Sequence, residues 1–467
     1  MRSVLLFIFI SVALITRSQT WDLPQCIDYA LKHNISLKQA ALNSEINKNN
    51  TLQSKAAILP SLNAGAQHNY NFGQTIDRFT NTFANTQVLS QNFYLSGSVV
   101  LWSGLSQYNT IKANQYNYLS GEENVKQLAN DLSLNVANAY IGVIFSEEIL
   151  KISQKQFDIT NEQLVRTQKL VNAGAVAKSI EYDIKAQLAN EQVNVTSAEN
   201  NLTLSLLSLR QLMNLDSVSN FSVVRPNLEV TDNLILADIQ YIYESGLKTQ
   251  PSIKRGEYSI LSAEKYLAAS KGRISPTLTF NASLGTGTSG LAKDVLGVNF
   301  TGYQLSGITS GGDSVYTPTS ELVTRKTTFA DQFNNNANKV VGFTLNIPLF
   351  NGLQTYTSVK NAKINMLNAQ LTQDLAKQNL YKTISQAYIS ANASLNKYSA
   401  TKLSVDAANE SFKYAQQKFD AGVISAFDFS TAKNRLFAAE SNLLQAKYDY
   451  IFKLKVLDYY QGKPLTF

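Results

Sequence analysis

Asn92-Phe93-Tyr94-Leu95-Ser96-Gly97-Ser98-Val99-Val100-Leu101-Trp102-Ser103-Gly104-Leu105 is the stretch from which the rest of the chain can be read. Phe93, Leu95, Val99 and Leu101 alternate with Asn92, Ser96 and Ser98. A period of two with one apolar face describes a strand set between an oily medium and a wet one. From Ser103 to Asn172 there are then 70 residues without a proline, about 105 Å of helix at 1.5 Å per residue. Strand, glycine corner and very long helix follow one another within a few residues.

The same unit is written twice. Leu101-Trp102-Ser103-Gly104-Leu105 lies over Leu349-Phe350-Asn351-Gly352-Leu353 at an offset of 248 residues, Ala139-Tyr140-Ile141 over Ala387-Tyr388-Ile389, and Ala173-Gly174 over Ala421-Gly422. Upstream the offset is 216, pairing Ala30-Leu31-Lys32 with Gly246-Leu247-Lys248 and Leu59-Pro60-Ser61-Leu62 with Ser275-Pro276-Thr277-Leu278. The difference of 32 residues falls between Pro276 and Phe350, which marks a surface loop. Three further stretches alternate as the first does: Leu62 to Phe72, Leu278 to Leu284 and Val341 to Leu349.

The expected organisation is therefore a signal peptide over 1–18 and a first structural repeat over 19–214. That repeat has strands near 61–73 and 91–102, a long helix near 103–172 and a return helix near 179–214. An equatorial linker over 215–237 leads to a second repeat over 238–461. Its strands lie near 276–287 and 340–350, its long helix near 351–420 and its return helix near 425–460, ahead of a tail over 462–467. Apolar residues recur every seven positions along the helices, as at Val136, Val143, Leu150, Phe157 and Leu164, or Leu188, Val195, Leu202 and Leu209. Sustained heptads imply coiled-coil packing between neighbouring helices. Ala173-Gly174 and Ala421-Gly422 end the long helices, glycine suiting the left-handed residue past a helix end. Ser179 or Ser425 can cap the return helices, and Ser425 with Asp428 fits a capping box.

A sandwich would also bury one face of such strands. Yet each strand has about 10 residues, enough to cross an outer membrane when tilted, and helices rather than more sheet flank them. Four strands cannot close a barrel, and an open edge in lipid leaves backbone groups unpaired at several kcal/mol each. Several chains must then share one barrel, and three would supply twelve strands.

Composition excludes other classes. Arg2, the apolar run Val4–Ile15 and the small residues Thr16 and Ser18 describe an export signal, the run being too short to span a bilayer. Without Arg2 and Arg17 the formal charge falls from +7 to +5, and no Lys/Arg run of the kind that tracks phosphates occurs, so nucleic acid is not a partner. Cys26 is the only cysteine, so no internal disulfide can form. His33 and His68 stand in different elements with no ligand cluster, so no metal site is expected. Gly285, Gly287 and Gly290 satisfy G-x-G-x-x-G, but a polar stretch follows rather than a helix, and no nucleotide cofactor is implied. No catalytic constellation is visible, and the chain reads as a non-enzyme.

The duplicated Tyr140…Ala173-Gly174 and Tyr388…Ala421-Gly422 units, the two strand exits and the opening Ala30-Leu31-Lys32-His33-Asn34 resemble the TolC-like outer-membrane efflux protein family over essentially the whole mature chain. The resemblance implies a mainly α fold with membrane β: a homotrimer with four strands per chain in a shared twelve-stranded β-barrel, above a periplasmic α-barrel of long coiled-coil helices. It implies a passive exit duct for an efflux or type I secretion system, served by a periplasmic adaptor (membrane fusion) protein and an inner-membrane pump of RND, ABC or MFS type. Adaptor hairpins would dock near the two turns, at Ala173, Gly174, Ala175 and Ser179 and at Ala421, Gly422, Val423 and Ser425. In this family inward-facing aspartates six residues past the second turn glycine narrow the tip, and Asp428 holds that position here. Asp428 can equally be a helix cap. Thr431, Ile180 and Ile424 stand where some members carry charged locks, which makes heptad packing around Phe419 the other candidate for holding the tip. The loops 74–90 and 286–339 would face outside. A structural coiled-coil or adhesion protein anchored in the outer membrane is the alternative, although an adhesin has no need to fold its long helices back twice.

Overall fold

The computed structural model describes residues 19–84, 87–215, 221–226 and 238–463. The expected signal over 1–18, and most of the linker and tail, lie outside these residues. In chain order the elements are β1 (Gln19–Trp21), α1 (Leu23–His33), α2 (Ile35–Ala56), β2 (Ser61–Asn71), β3 (Thr75–Asp77), β4 (Thr82–Ala84), β5 (Val88–Trp102), α3 (Ser106–Asn172), α4 (Lys178–Met213) and β6 (Phe221–Val223). The second half continues with α5 (Ile239–Thr249), α6 (Pro251–Gly272), β7 (Thr277–Ser289), β8 (Lys293–Ile308), β9 (Ser314–Lys326), α7 (Phe329–Asn335), β10 (Asn338–Asn346), α8 (Gln354–Asp420) and α9 (Ala426–Tyr460). Helices α1 and α5 both have 11 residues, α2 and α6 both have 22, and α3 and α8 both have 67.

The long helices start at Ser106 and Gln354, three residues later than the alternation alone suggests. Gly104-Leu105 and Gly352-Leu353 are all left-handed, with φ of 61°, 61°, 61° and 65°, which breaks both the strand and the helix. Gly104 could not be replaced: a Cβ there would stand 2.3 Å from the Gly272 carbonyl oxygen. β2 stops at Asn71, just short of Gly73 at φ +94°, and β10 stops at Asn346, two residues before a proline that cannot donate to a ladder.

Contacts divide the chain into two units. One holds residues 1–48, 116–261 and 367–467, and the other 49–115 and 262–366. In the second unit, β10, β7, β5 and β2 form one antiparallel sheet in that order, so β10 and β2 are its edges. Register assigns the faces. Leu62, Gly97, Ala282 and Val341 are in line, as are Ala64, Leu95 and Leu284, and Phe280 with Phe343. The opposite face carries Ser61, Ser98, Asn281 and Gly342 in one row and Asn63, Ser96 and Ser283 in another. One side is mainly apolar and the other mainly amide and hydroxyl, with Tyr94, Val100 and Val340 among the exceptions on the polar side. Gly287 lies on the polar side, where a Cβ would stand 2.1 Å from the Phe79 ring. Close packing therefore accounts for this member of the Gly285–Gly290 pattern.

The segment 286–339 departs from its reading as a loop. It completes β7, then forms the hairpin β8–β9 and the short helix α7. The segment 74–90 likewise holds the hairpin β3–β4 and the start of β5.

The first unit has two apolar cores. One gathers Cys26, Val136, Tyr140, Val143, Ile144, Leu209 and Met213, and the other Ile242, Ile253, Leu380, Ile384, Ala391 and Leu457. Burial pushes the Cys26 thiol up to about 12, with Asp22 adding to the shift, so it is an inert core residue. Asp22 caps α1 in a capping box with Gln25. Tyr140 ties distant backbone together: its hydroxyl donates to the Val224 carbonyl at 2.5 Å and the Trp21 carbonyl at 3.2 Å, where β1 and β6 run parallel. Tyr140→Phe would leave the Val224 carbonyl short of its donor and should destabilise this unit by about 1–2 kcal/mol. Helical melting followed by circular dichroism in detergent is the check, and an unchanged midpoint would remove this role from Tyr140.

Candidate functional site

The two hairpin turns were assembled from the same bonds. At the first, Gly174 N–H donates to Val171 O at 3.0 Å and Ala175 N–H to Leu170 O at 2.9 Å; at the second, Gly422 N–H donates to Phe419 O at 3.0 Å and Val423 N–H to Lys418 O at 2.9 Å. Gly174 and Gly422 both have φ +72°. This is the pattern in which a left-handed glycine satisfies the last helical carbonyls. Ala173 and Ala421 are the residues before these glycines, and both are exposed.

Past the turns the repeats differ. Ser425 caps α9: its Oγ accepts from Asp428 N–H at 3.1 Å, and its own N–H donates to Asp428 Oδ2 at 3.2 Å. Ser425 Oγ also donates to that oxygen at 2.7 Å. The Asp428 carboxylate is thus held at the helix N-terminus, where the macrodipole favours negative charge. Helix α4 begins instead after Ala177, with no side-chain cap, and Ser179 lies inside its first turn. The expectation that Ser179 caps this helix is corrected. The aligned partner of Ser425 at offset 248 is Ala177, whose methyl group can accept nothing. In that first turn Glu181 pairs with Lys185 at 2.7 Å, which holds the Glu181 carboxyl below its ordinary range.

Phe419 is half-buried and packs on Phe429 with centroids 5.0 Å apart, while Phe412 packs on Phe429 at 5.5 Å. Phe429 itself is buried. Beside this cluster Arg166 of α3 pairs with Asp420 of α8 at 2.5 Å, joining the ends of the two long helices. Four residues beyond Phe429 on α9, Lys433 and Glu191 form an ion pair at 2.8 Å with side chains only 2% and 5% exposed. The Lys433 ammonium also donates to the Gln156 carbonyl at 3.3 Å and to Thr160 Oγ1, and Gln187 donates to Glu191 at 2.7 Å. Burial pushes Lys433 below its ordinary value, with Glu191 opposing the shift.

Sequence reading missed both pairs. Lys433 lies three residues before Leu436, and Glu191 three after Leu188, so each is a charge set into an apolar heptad seam. That misplacement was the available signal, although the partner was not. Between the two return helices lies a groove of about 390 Å³ lined by Ile184, Gln187, Phe427, Phe429 and Lys433. Around it Tyr182, Val423 and Phe427 are 60%, 71% and 80% exposed. Among the described residues no group of three His, Cys, Asp or Glu side chains could hold a metal, and no helix is long and apolar enough to cross a membrane.

A family profile described as outer membrane efflux protein matches residues 26–215 and 242–458. The chain is 24% identical over 446 residues to the outer membrane protein TolC of Escherichia coli, covering 93% of this chain and 80% of that protein. It is 20% identical over 470 residues to the alkaline protease secretion protein AprF of Pseudomonas aeruginosa, covering 99% and 89%. It matches the crystal structure of the outer membrane protein VceC of Vibrio cholerae with a TM-score of 0.73 at 14% identity, covering 95% of this chain and 97% of that one.

Proposed function

The chain belongs to the outer membrane efflux protein family, and from that premise we propose that three copies close one twelve-stranded barrel and work with a periplasmic adaptor and an inner-membrane pump. Membership makes it an outer-membrane exit channel for efflux or secretion that extends into the periplasm, with the TolC-like α/β-barrel fold. The observation that carries the trimer is the four-stranded sheet with one largely apolar face and, among the described residues, both edges unpaired. Three such sheets, each ending in oppositely directed edge strands, close antiparallel with twelve strands, an even number within the range of such barrels. The duct is passive, the free energy for export coming from the pump, whose type is RND, ABC or MFS.

The groove between α4 and α9, with exposed Tyr182, Val423 and Phe427 beside it, supports adaptor docking at Ala173, Gly174, Ala175 and Ser179 and at Ala421, Gly422, Val423 and Ser425. Asp428 and the Phe419 cluster form the constriction. Three copies place three Asp428 carboxylates around one axis, a ring that selects cations. Detergent-purified protein should run at three times the chain mass and form small, cation-preferring pores in a planar bilayer. Asp428→Ala should weaken block by multivalent cations, alongside a loss of about 1 kcal/mol from the cap. A water-soluble monomer would sink the duct, and unchanged block would remove only Asp428 from the gate.

A further inference from the structure

The excursion between β7 and β10 is much longer than the corresponding connection between β2 and β5 in the first repeat. Among the described residues β8 and β9 pair only with each other. Their register puts Val295, Val298, Phe300, Tyr303, Leu305 and Ile308 of β8 on one face, with Tyr316 and Leu322 of β9 beside them. The other face carries Asn299, Gln304, Thr317 and Glu321, with only Val315 and Val323 as apolar side chains among its paired residues. Those six β8 residues are spaced three, two, three, two, three, which a regular strand would scatter over both faces. Register shifts at Val295/Gly297, Phe300/Gly302 and Leu305/Gly307 each skip one residue and restore the side. A glycine follows every shift, and Gly302 has φ +131°, a conformation that side chains rarely adopt. Three bulges thus serve to keep one face apolar.

That face is open: Val298, Phe300, Tyr303 and Ile308 are 61%, 61%, 70% and 69% exposed. A lone two-stranded ribbon is marginal in water, and a continuous apolar patch of this kind marks a contact surface. The root of the ribbon indicates what covers it. Helix α7 returns the chain to β10, and its Phe329 and Phe333 pack on Phe93 at 6.1 and 5.6 Å. Phe93 is in line with Ala66 and Thr286 on the apolar side of the four-stranded sheet, the side that faces lipid in an outer-membrane barrel. Gln332 of α7 is buried and pins this root to the end of β7, accepting from Ser289 N–H at 2.8 Å and donating to Ser289 O and Thr327 O, both at 3.1 Å. The excursion therefore returns over the lipid side of the sheet rather than its polar side. Lys293 and Lys326 stand opposite each other at the root, on the same face as Val295, as cations suited to phosphate headgroups.

We propose that the apolar face of the β8–β9 ribbon lies on the outer leaflet of the membrane, with Val298 to Ile308 in the acyl boundary and Lys293 and Lys326 at phosphate level. The ribbon is a lateral anchor that extends the lipid contact of the barrel beyond its wall. In a Cys26→Ala background, single thiols at Phe300→Cys, Tyr303→Cys, Gln304→Cys or Thr317→Cys would carry an environment-sensitive fluorophore. Each protein is reconstituted into phosphatidylethanolamine–phosphatidylglycerol vesicles with or without nitroxide lipids, and each is checked for conductance. Labels at 300 and 303 should lose roughly threefold more emission to nitroxide lipid than labels at 304 and 317, as expected of an amphipathic element lying in the interface. Equal quenching of all four by aqueous iodide would overturn the proposal. Labels at 300 and 303 shielded from both quenchers would also overturn it, by showing a second protein chain on that face. Conductance reports separately on the duct, so conducting vesicles with either of these quenching results would fail the anchor alone.

Discussion

Phe343→Lys is expected to abolish assembly in a bilayer, whereas Thr344→Lys, one residue on, leaves it nearly intact. Phe343 sits in the middle of edge strand β10 on the apolar face, its ring 5.2 Å from that of Phe280. Thr344 points to the polar face, near Asn281. A lysine on the lipid side at mid-membrane costs about 2–4 kcal/mol, and the three copies of the proposed trimer would bring the loss to roughly the whole stability of an ordinary folded protein, about 5–15 kcal/mol. On the polar face the ammonium meets water and costs little. The fraction of heat-resistant oligomer on gels and the conductance of reconstituted protein both read the result. If the two lysines behaved alike, or Thr344→Lys were the worse, the assignment of faces would fail and the lipid-facing barrel with it.

Lys433→Met should be nearly as damaging, for a different reason. The substitution keeps the volume but strands the Glu191 carboxylate, which among the described residues then keeps Gln187 as its donor at 2.7 Å, with its side chain 5% exposed. Breaking one half of a buried pair costs about 3–5 kcal/mol. The paired lysine is itself not favourable there, since desolvation outweighs Glu191 and pulls its proton affinity down. Because the folded value lies below 10.5, the site penalises the folded state at neutral pH, and that penalty fades as pH rises from the folded value towards 10.5. Lys433→Met combined with Glu191→Leu should therefore recover most of the loss. Thermal melting of the helices separates the cases: a single variant as stable as the parent would show that the pair has no structural role, and a double variant no better than the single would show that packing rather than charge was lost.

The membrane strands were legible because their alternation is regular. Leu62 to Tyr70 and Phe93 to Leu101 need no partner to reveal which side is oily, and the repeated Gly-Leu corners mark where strand yields to helix. The β8–β9 ribbon was hidden by the same test. Apolar residues spaced by three and two fail the template of period two, and only the bulges show that Val298 and Phe300 share a face. Ser179 was misread for a simpler reason: it is the nearest serine to its turn, whereas the position aligned with Ser425 is Ala177. Lys433 and Glu191 lie 242 positions apart in helices of different repeats, and the hydroxyl of Tyr140 finds carbonyls 84 and 119 positions away. Local pattern announces that a polar group is out of place on an apolar seam, but only the packed chain supplies what it touches.

Among the described residues, β2 and β10 each leave one flank of the sheet without a hydrogen-bonded neighbour, and hydrocarbon offers no water to stand in. A solitary copy therefore has no resting place in the bilayer, so in the proposed trimer insertion and association are one event. The yield of finished channel then depends steeply on how many nascent copies meet at the insertion site. Starving that site of copies would fill the periplasm with stranded, sticky intermediates without weakening a single bond of the native fold.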